Sequence, residues 1–107
     1  MASAAQQAQA PIAVAFSGGS IDLSKGSYFA GSVSGNTTFA FANRTADSMV
    51  FQIEITHTGG VIAWPTNIGW PGGFAPQITS GKRHRFMFER VQSVGADWWD
   101  GSCLANY

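Results

Sequence analysis

A chain of 107 residues has the length of a single domain. Charged residues make up 11% of it, and the six acidic and six basic side chains cancel, whereas an average soluble domain is roughly 25% charged. Because no net field attracts the chain to polyanions, the composition argues against a nucleic-acid-binding protein and against one held on an anionic membrane surface.

The N-terminal segment differs in composition from the rest of the chain. Apart from Met1 and Pro11, residues 1–11 are Ala, Gln and Ser without charge, so the segment has little to bury. We predict an extended arm over residues 1–11 and one domain over residues 12–107. Two interpretations of the arm stay open: a disordered tail, or an arm ordered on a neighbouring subunit. In the second, the contact residues are Gln6, Gln7, Gln9 and Pro11.

From residue 12 onward the pattern is one of short strands and turns. Residues 49–57, MVFQIEITH, alternate between apolar and polar side chains, which is typical of a strand with one dry and one wet face. The Thr58-Gly59-Gly60 turn predicts a hairpin between this strand and residues 61–64. With no helical periodicity, we predict an all-β fold, a single antiparallel β-sandwich of jelly-roll type. The other expected strands are residues 12–16, 21–23, 28–33, 37–42, 84–91 and a last segment over 97–107.

Residues 61–79, VIAWPTNIGWPGGFAPQIT, contain two Trp-Pro pairs. A proline fixes its own φ and keeps the preceding residue out of the helical region. The pattern therefore predicts a rigid corner in which both tryptophans are extended and the following glycines take positive φ. The corner residues are Trp64, Pro65, Trp70, Pro71, Gly72, Gly73 and Pro76.

The tryptophans permit two interpretations. An indole beside a proline is usually a core or inter-subunit plug, since Trp tends to be largely buried. The alternative is a platform on which a sugar ring stacks, for which the candidates are Trp70, Trp98 and Trp99.

The inventory of catalytic residues is small. Neither His57 nor His84 has a second histidine or a cysteine at metal-binding spacing, and Cys103 is the sole cysteine. Asp97 and Asp100 flank two tryptophans and suggest a glycosidase carboxylate pair, but turn-flanking aspartates explain them as well. We therefore predict no enzyme, no metal and no cofactor.

A basic cluster covers residues 82–85, KRHR. Such a cluster is usually a solvated strand end. Its sharper interpretation is a contact with a phosphate or an acidic partner surface through Arg83 and Arg85.

The low charge predicts assembly. The chain has only two lysines and two glutamates, so some apolar surface is expected to stay uncovered, and such surface usually marks a contact with another chain. We expect a homo-oligomer.

The corner and its flanking strands resemble a β-domain of tailed-bacteriophage virion proteins. The resemblance covers roughly residues 21–107 and is carried mainly by Trp-Pro, a short link and Trp-Pro-Gly-Gly. The matching positions are Trp64, Pro65, Ile68, Trp70, Pro71, Gly72, Gly73, Pro76, Thr79, Phe86, Phe88, Trp99 and Gly101.

This resemblance implies a non-enzymatic, self-associating module, a homotrimer, of the kind found in tail-fibre, head-fibre and decoration proteins. It implies a virion location on the capsid surface or a fibre, with assembly in the host cytoplasm. The short chain favours a capsid decoration or cement protein whose partner is the major capsid protein, and removing residues 2–10 is then expected to release it from particles without unfolding it. The alternatives are a tail-fibre or fibre-tip domain that binds a receptor or glycan, and a small hydrolase using Asp97, Asp100 or His84.

Overall fold

In the computed structural model, which describes residues 13–46, 48–90 and 98–106, the chain forms ten strands and a single 3-10 turn. The predicted all-β class is confirmed. In chain order the elements are β1 (Val14–Ala15), β2 (Ser20–Asp22), β3 (Tyr28–Val33), β4 (Thr37–Thr38), β5 (Ala40–Ala42), β6 (Met49–His57), β7 (Ile62–Ala63), β8 (Ile68–Gly69), the 3-10 turn (Pro71–Gly73), β9 (Lys82–Arg90) and β10 (Trp99–Asn106).

The main layer is a six-stranded sheet with the order β1-β3-β6-β9-β10-β8. Its long central strands β6, β9 and β10 pair antiparallel, as expected. The outer ladders β1–β3, β3–β6 and β8–β10 are parallel, so the pairing differs from the antiparallel sandwich predicted from the sequence. Side-chain alternation identifies a strand but not the direction of its partner. The long connections between the paired outer strands permit parallel pairing.

The expected hairpin between β6 and residues 61–64 is wrong. Both edges of β6 are occupied, one by β3 and the other by β9, so no place is left for the following segment. Ile62 and Ala63 instead pair with Thr37 and Thr38 in the parallel β4–β7 ladder. The Gly59-Gly60 turn therefore carries the chain out of the main sheet.

The second layer consists of two short parallel ladders, β2–β5 and β4–β7. β4 and β5 belong to one extended stretch that changes partner at Phe39. The amide of Phe39 donates to the carbonyl of Ala63 at 2.8 Å, and the amide of Ala40 donates to the carbonyl of Gly19 at 2.8 Å. These ladders place aromatic side chains over one face of the main sheet.

The core lies between the two layers and is dominated by aromatic rings. Phe51 of β6 stacks on Phe88 of β9 with ring centroids 5.2 Å apart, and Phe41 of β5 packs on both at 4.9 and 5.0 Å. Full burial of one such ring contributes about 1.5–3 kcal/mol. The buried apolar residues are Ile21, Leu23, Phe29, Val33, Phe39, Phe51, Ile53, Ile55, Ile68, Phe86, Phe88 and Trp99.

Within the described ranges, no helix is long and apolar enough to cross a bilayer. The predicted arm over residues 1–11, with its contact residues Gln6, Gln7, Gln9 and Pro11, lies outside the described residues and stays a prediction.

Candidate functional site

The two Trp-Pro pairs form a corner at the edge of the sheet. Trp70 is extended, with φ −107° and ψ 145°, and the 3-10 turn follows it directly. Gly72 and Gly73 adopt φ values of 76° and 87°, the left-handed region that favours glycine. The amide of Gly73 donates to the carbonyl of Trp70 at 2.9 Å and closes the turn. The sequence did not predict the short strand β8 between the two Trp-Pro pairs.

Both corner tryptophans pack against the core. Their ring centroids are 5.6 Å apart, and Phe88 lies 5.3 Å from Trp64 and 5.7 Å from Trp70. Both indoles are half-buried. The geometry favours the structural interpretation of the corner, and the exposed part of each residue borders a separate groove.

The first groove, here called the corner groove, has a volume of about 410 Å³. Val61 on its wall is 70% exposed. Phe74, which directly precedes the lining residue Ala75, is 83% exposed. None of the groove's lining residues is an Asp, Glu, Lys or Arg. The lining residues are His57, Gly60, Val61, Ile62, Trp64, Ala75, Pro76, Gln77 and Ile78.

The second groove, here called the Trp98 groove, has a volume of about 400 Å³ and lies where β8 meets β10. Trp98 is 36% exposed. The groove brings together Trp70 and Trp98, two of the three residues proposed for sugar stacking, and adds Asp100. Its lining residues are Gly69, Trp70, Pro71, Trp98, Asp100 and Gly101.

The prediction that Trp99, the third candidate, is available for sugar stacking is wrong. Trp99 is 2% exposed, and its ring lies 5.1 Å from Phe51 and 5.9 Å from Phe41. Successive residues of a strand point to opposite faces, so Trp98 and Trp99 cannot both face solvent. Trp99 is a core residue, and Trp98 is the exposed member of the pair.

Acidic side chains occur beside Trp98. Asp100 of β10 is exposed and pairs in register with Glu89 of β9, which is also exposed. Asp97, the other aspartate of the predicted pair, lies outside the described residues. His84, the third hydrolase candidate, is fully buried on the opposite face of β9. The sequence did not indicate the juxtaposition of Glu89 with Asp100, because it depends on strand register.

The two histidines, far apart in the sequence, meet on the core side of the sheet. Their ring centroids are 6.4 Å apart. The Nε2 of His57 bonds the carbonyl of Gly60 at 2.9 Å, and the Nε2 of His84 lies 3.2 Å from both the amide and the carbonyl of Thr79. Among the described residues, no group of three or more His, Cys, Asp or Glu side chains is placed to hold a metal ion.

The basic cluster is divided between the two faces of β9. Arg83 and Arg85 lie on the outer face, where the Nε of Arg83 is 3.6 Å from Oε2 of Glu54. The hydroxyl group of Tyr28 donates a hydrogen bond to Oε1 of Glu54 at 2.6 Å. This hydrogen bond, with burial, raises the pKa of Tyr28 above its ordinary value of 10.0. The two arginines thus border a hydrogen-bonded polar patch, and their proposed contact with a partner stays a prediction.

No protein-family model matches the chain, and neither a curated protein nor a solved structure is significantly similar to it. Inferences about function therefore depend on the two grooves, the composition and the sequence resemblance of the corner.

Proposed function

We propose that this chain is a non-enzymatic structural protein of a tailed-bacteriophage particle. As a capsid decoration or head-fibre protein, it would associate into homotrimers and bind the shell formed by the major capsid protein. The sequence resemblance of the Trp-Pro corner is the reason for naming a phage particle. The structural support concerns self-association and comes from the corner groove.

The observation that carries the proposal is the exposure of large apolar side chains beside the corner groove. Val61 is 70% exposed and Phe74 is 83% exposed, in a region where the lining residues carry no formal charge. Large apolar side chains that stay this exposed are suited to contact with another chain. The occupant that we propose is a second copy of this chain.

The rigidity of the corner supports the same proposal. The prolines and the packing of Trp64 against Phe88 fix the backbone around the groove. A surface that is already ordered loses little conformational entropy when a partner binds, so more of the burial energy, about 25 cal/mol per Å² of apolar area, remains for association. Repetition over a symmetric shell multiplies a contact that is weak on its own.

The proposal is tested by measuring molar mass with light scattering across a concentration series, for the natural chain and for Phe74→Ser and Val61→Ser. We expect a concentration-dependent trimer for the natural chain and a monomer for each variant. Because both side chains are largely exposed, the thermal midpoint of the monomer should change little. Co-sedimentation with isolated capsids of the encoding phage tests attachment to the shell.

Val50→Ser is the matched control, since Val50 is 44% exposed and lies outside the corner groove. This variant should assemble and bind capsids like the natural chain. A natural chain that stays monomeric at all concentrations and does not sediment with capsids would overturn the proposal. Turnover of a small molecule by that monomer would also overturn it.

A further inference from the structure

The Trp98 groove is built by the pairing of two strands that are distant in the sequence. In the parallel β8–β10 ladder, Asp100 pairs with Gly69, and Trp99 pairs with Ile68. Trp98 and Asp100 therefore point to the face opposite Trp99. The amide of Trp99 donates to the carbonyl of Asn67 at 3.0 Å and fixes the start of β10.

The indole of Trp98 can lie against β8 because Gly69 has no side chain. A Cβ atom at Gly69 would lie 3.0 Å from Cζ2 and 3.3 Å from Nε1 of Trp98. The indole thus lies against the backbone of β8. Arg90, which is 5% exposed, donates from Nη1 to the carbonyl of Trp98 at 3.4 Å. The indole is thus positioned by β8, and the backbone of Trp98 is positioned by Arg90.

Two features of the groove indicate a ligand rather than a purely structural role. Trp98 leaves 36% of its surface exposed, although its neighbour Trp99 is almost fully buried. Asp100 and Glu89 face each other across the β9–β10 ladder, and like charges directly opposite each other destabilise a sheet. An indole that stays partly exposed beside an unfavourable carboxylate pair suits recognition.

The chemistry of these groups selects the ligand. An indole offers an apolar face for the C–H groups of a pyranose ring, and carboxylate oxygens accept hydrogen bonds from its hydroxyl groups. The groove volume of about 400 Å³ falls within the range of small-molecule sites, roughly 300–1,000 Å³. Carboxylates repel an acidic sugar or a phosphate. We infer that the Trp98 groove binds a neutral hexopyranose unit of a glycan.

An organic cation is the competing ligand for an aromatic ring beside carboxylates. Quaternary ammonium groups are held by cages of several aromatic rings, whereas here Trp98 is the exposed indole and Trp70 is half-buried against the core. The arrangement is a single platform rather than a cage. This favours a flat sugar ring over a cation.

The test is a titration of the full chain with glucose, galactose, mannose and N-acetylglucosamine, followed by tryptophan fluorescence and by ligand-observed NMR. Glucuronate serves as the acidic counterpart of glucose, and choline represents the cation. We expect saturable binding of at least one neutral sugar with a Kd of about 1 mM, as a single small ring permits. Glucuronate should bind at least tenfold more weakly than glucose, and choline should not bind.

Three variants test whether Trp98 and Asp100 bind the sugar. Trp98→Ala should lower the sugar affinity about tenfold, and Trp98→Phe should restore part of it. Asp100→Asn should reduce the discrimination against glucuronate. Because Asp100 opposes Glu89, Asp100→Asn should not lower the thermal midpoint. The Trp98 variants lose part of the contact with Gly69, so their thermal midpoints should fall slightly, and a retained cooperative transition shows that any loss of binding is local.

Phe74→Ser separates this inference from the proposed function. It should abolish self-association and leave sugar binding unchanged, whereas Trp98→Ala should do the reverse. The inference would be overturned by failure of every neutral sugar to bind, by binding that survives Trp98→Ala, by equal affinity for glucuronate and glucose, or by preferential binding of choline. None of these results would change the oligomeric state on which the proposed function depends.

Discussion

The corner groove and the Trp98 groove each receive one tryptophan from the same Trp-Pro corner, yet their chemistry differs. Trp64 borders a groove whose other walls are mainly aliphatic and whose lining residues carry no formal charge. Trp70 borders a groove that contains a second tryptophan and an aspartate. The similar volumes, about 410 and 400 Å³, do not distinguish the two.

The difference arises from the strands that meet the corner. The corner groove is bordered by the turn after β6 and by the chain that follows the 3-10 turn, so its residues are close in sequence. The Trp98 groove needs the register of β8 against β10. One rigid element thus borders a groove without Asp, Glu, Lys or Arg on one side and a groove with a second tryptophan and an aspartate on the other, which makes the two separable by mutation.

The largest expected effect is that of Phe88→Ala, because Phe88 is fully buried beneath both corner tryptophans. Loss of the ring should lower the free energy of unfolding by about 3–5 kcal/mol and disturb both grooves together. Chemical denaturation measures the loss. A loss of only about 0.5 kcal/mol in unfolding free energy, as for a surface substitution, would contradict the conclusion that Phe88 supports both grooves.

Gly60→Ala should break the corner groove selectively. Gly60 has φ +84°, and a Cβ there would lie 2.1 Å from the carbonyl carbon of Gly35, so the turn must move. We expect a loss of about 2–4 kcal/mol in unfolding free energy and weaker self-association, with sugar binding retained. Gly35→Ala is the control, because a Cβ at Gly35 meets nothing within 4 Å. Equal losses of unfolding free energy in the two variants would contradict the close approach of Gly60 to the backbone of Gly35.

Gly69→Ala should affect the Trp98 groove with a smaller cost. The added methyl group contacts the end of a partly exposed indole, which can shift, so the expected loss in unfolding free energy is about 1 kcal/mol. Sugar affinity should fall several-fold, and the tryptophan fluorescence maximum of the chain should move. Unchanged binding together with an unchanged spectrum would show that Gly69 does not position the platform.

The smallest effect should come from Asp22, which borders neither groove. Its carboxylate accepts hydrogen bonds from the Ser24 hydroxyl at 2.6 Å and from the Asn43 amide at 3.0 Å, and these bonds lower its pKa below the ordinary 3.8. A lowered folded-state pKa gives stabilisation that is present above pH 3.8 and is lost as the pH falls through the folded-state value.

Asp22→Asn should therefore lower the thermal midpoint at neutral pH and reduce the dependence of that midpoint on pH in the acid range. Sugar binding and self-association should both stay unchanged, because Asp22 lines neither groove. A change in either property would contradict this separation of Asp22 from the grooves.

Local patterns in the sequence predicted the strands better than their partners. The strands over residues 28–33 and 49–57 have the bounds that the sequence predicted. The hairpin after His57 failed because a Gly-Gly turn looks the same whether it reverses a strand within a sheet or leads to another layer. Which edges of β6 are already occupied is decided by β3 and β9, and no local signal reports it.

The candidate site shows the same limit. The sequence named Trp70 and Trp98 individually, but only the β8–β10 register places them at one groove. Alternation predicts that Trp98 and Trp99 face opposite sides, but it does not say which of them faces the core. The opposition of Glu89 to Asp100 was not predictable, since it follows from the β9–β10 register.

The parallel ladders also govern how quickly the molecule can form. Phe29 pairs with Ile53, and Ile68 with Trp99, so each ladder requires closure of a long loop before its contacts are gained. Topologies with such non-local pairing fold in roughly milliseconds to seconds, rather than the microseconds of helical bundles. During that interval the aromatic face of β6 and β9 lacks its cover, and newly synthesised chains should be most prone to aggregation before Phe41 docks on it.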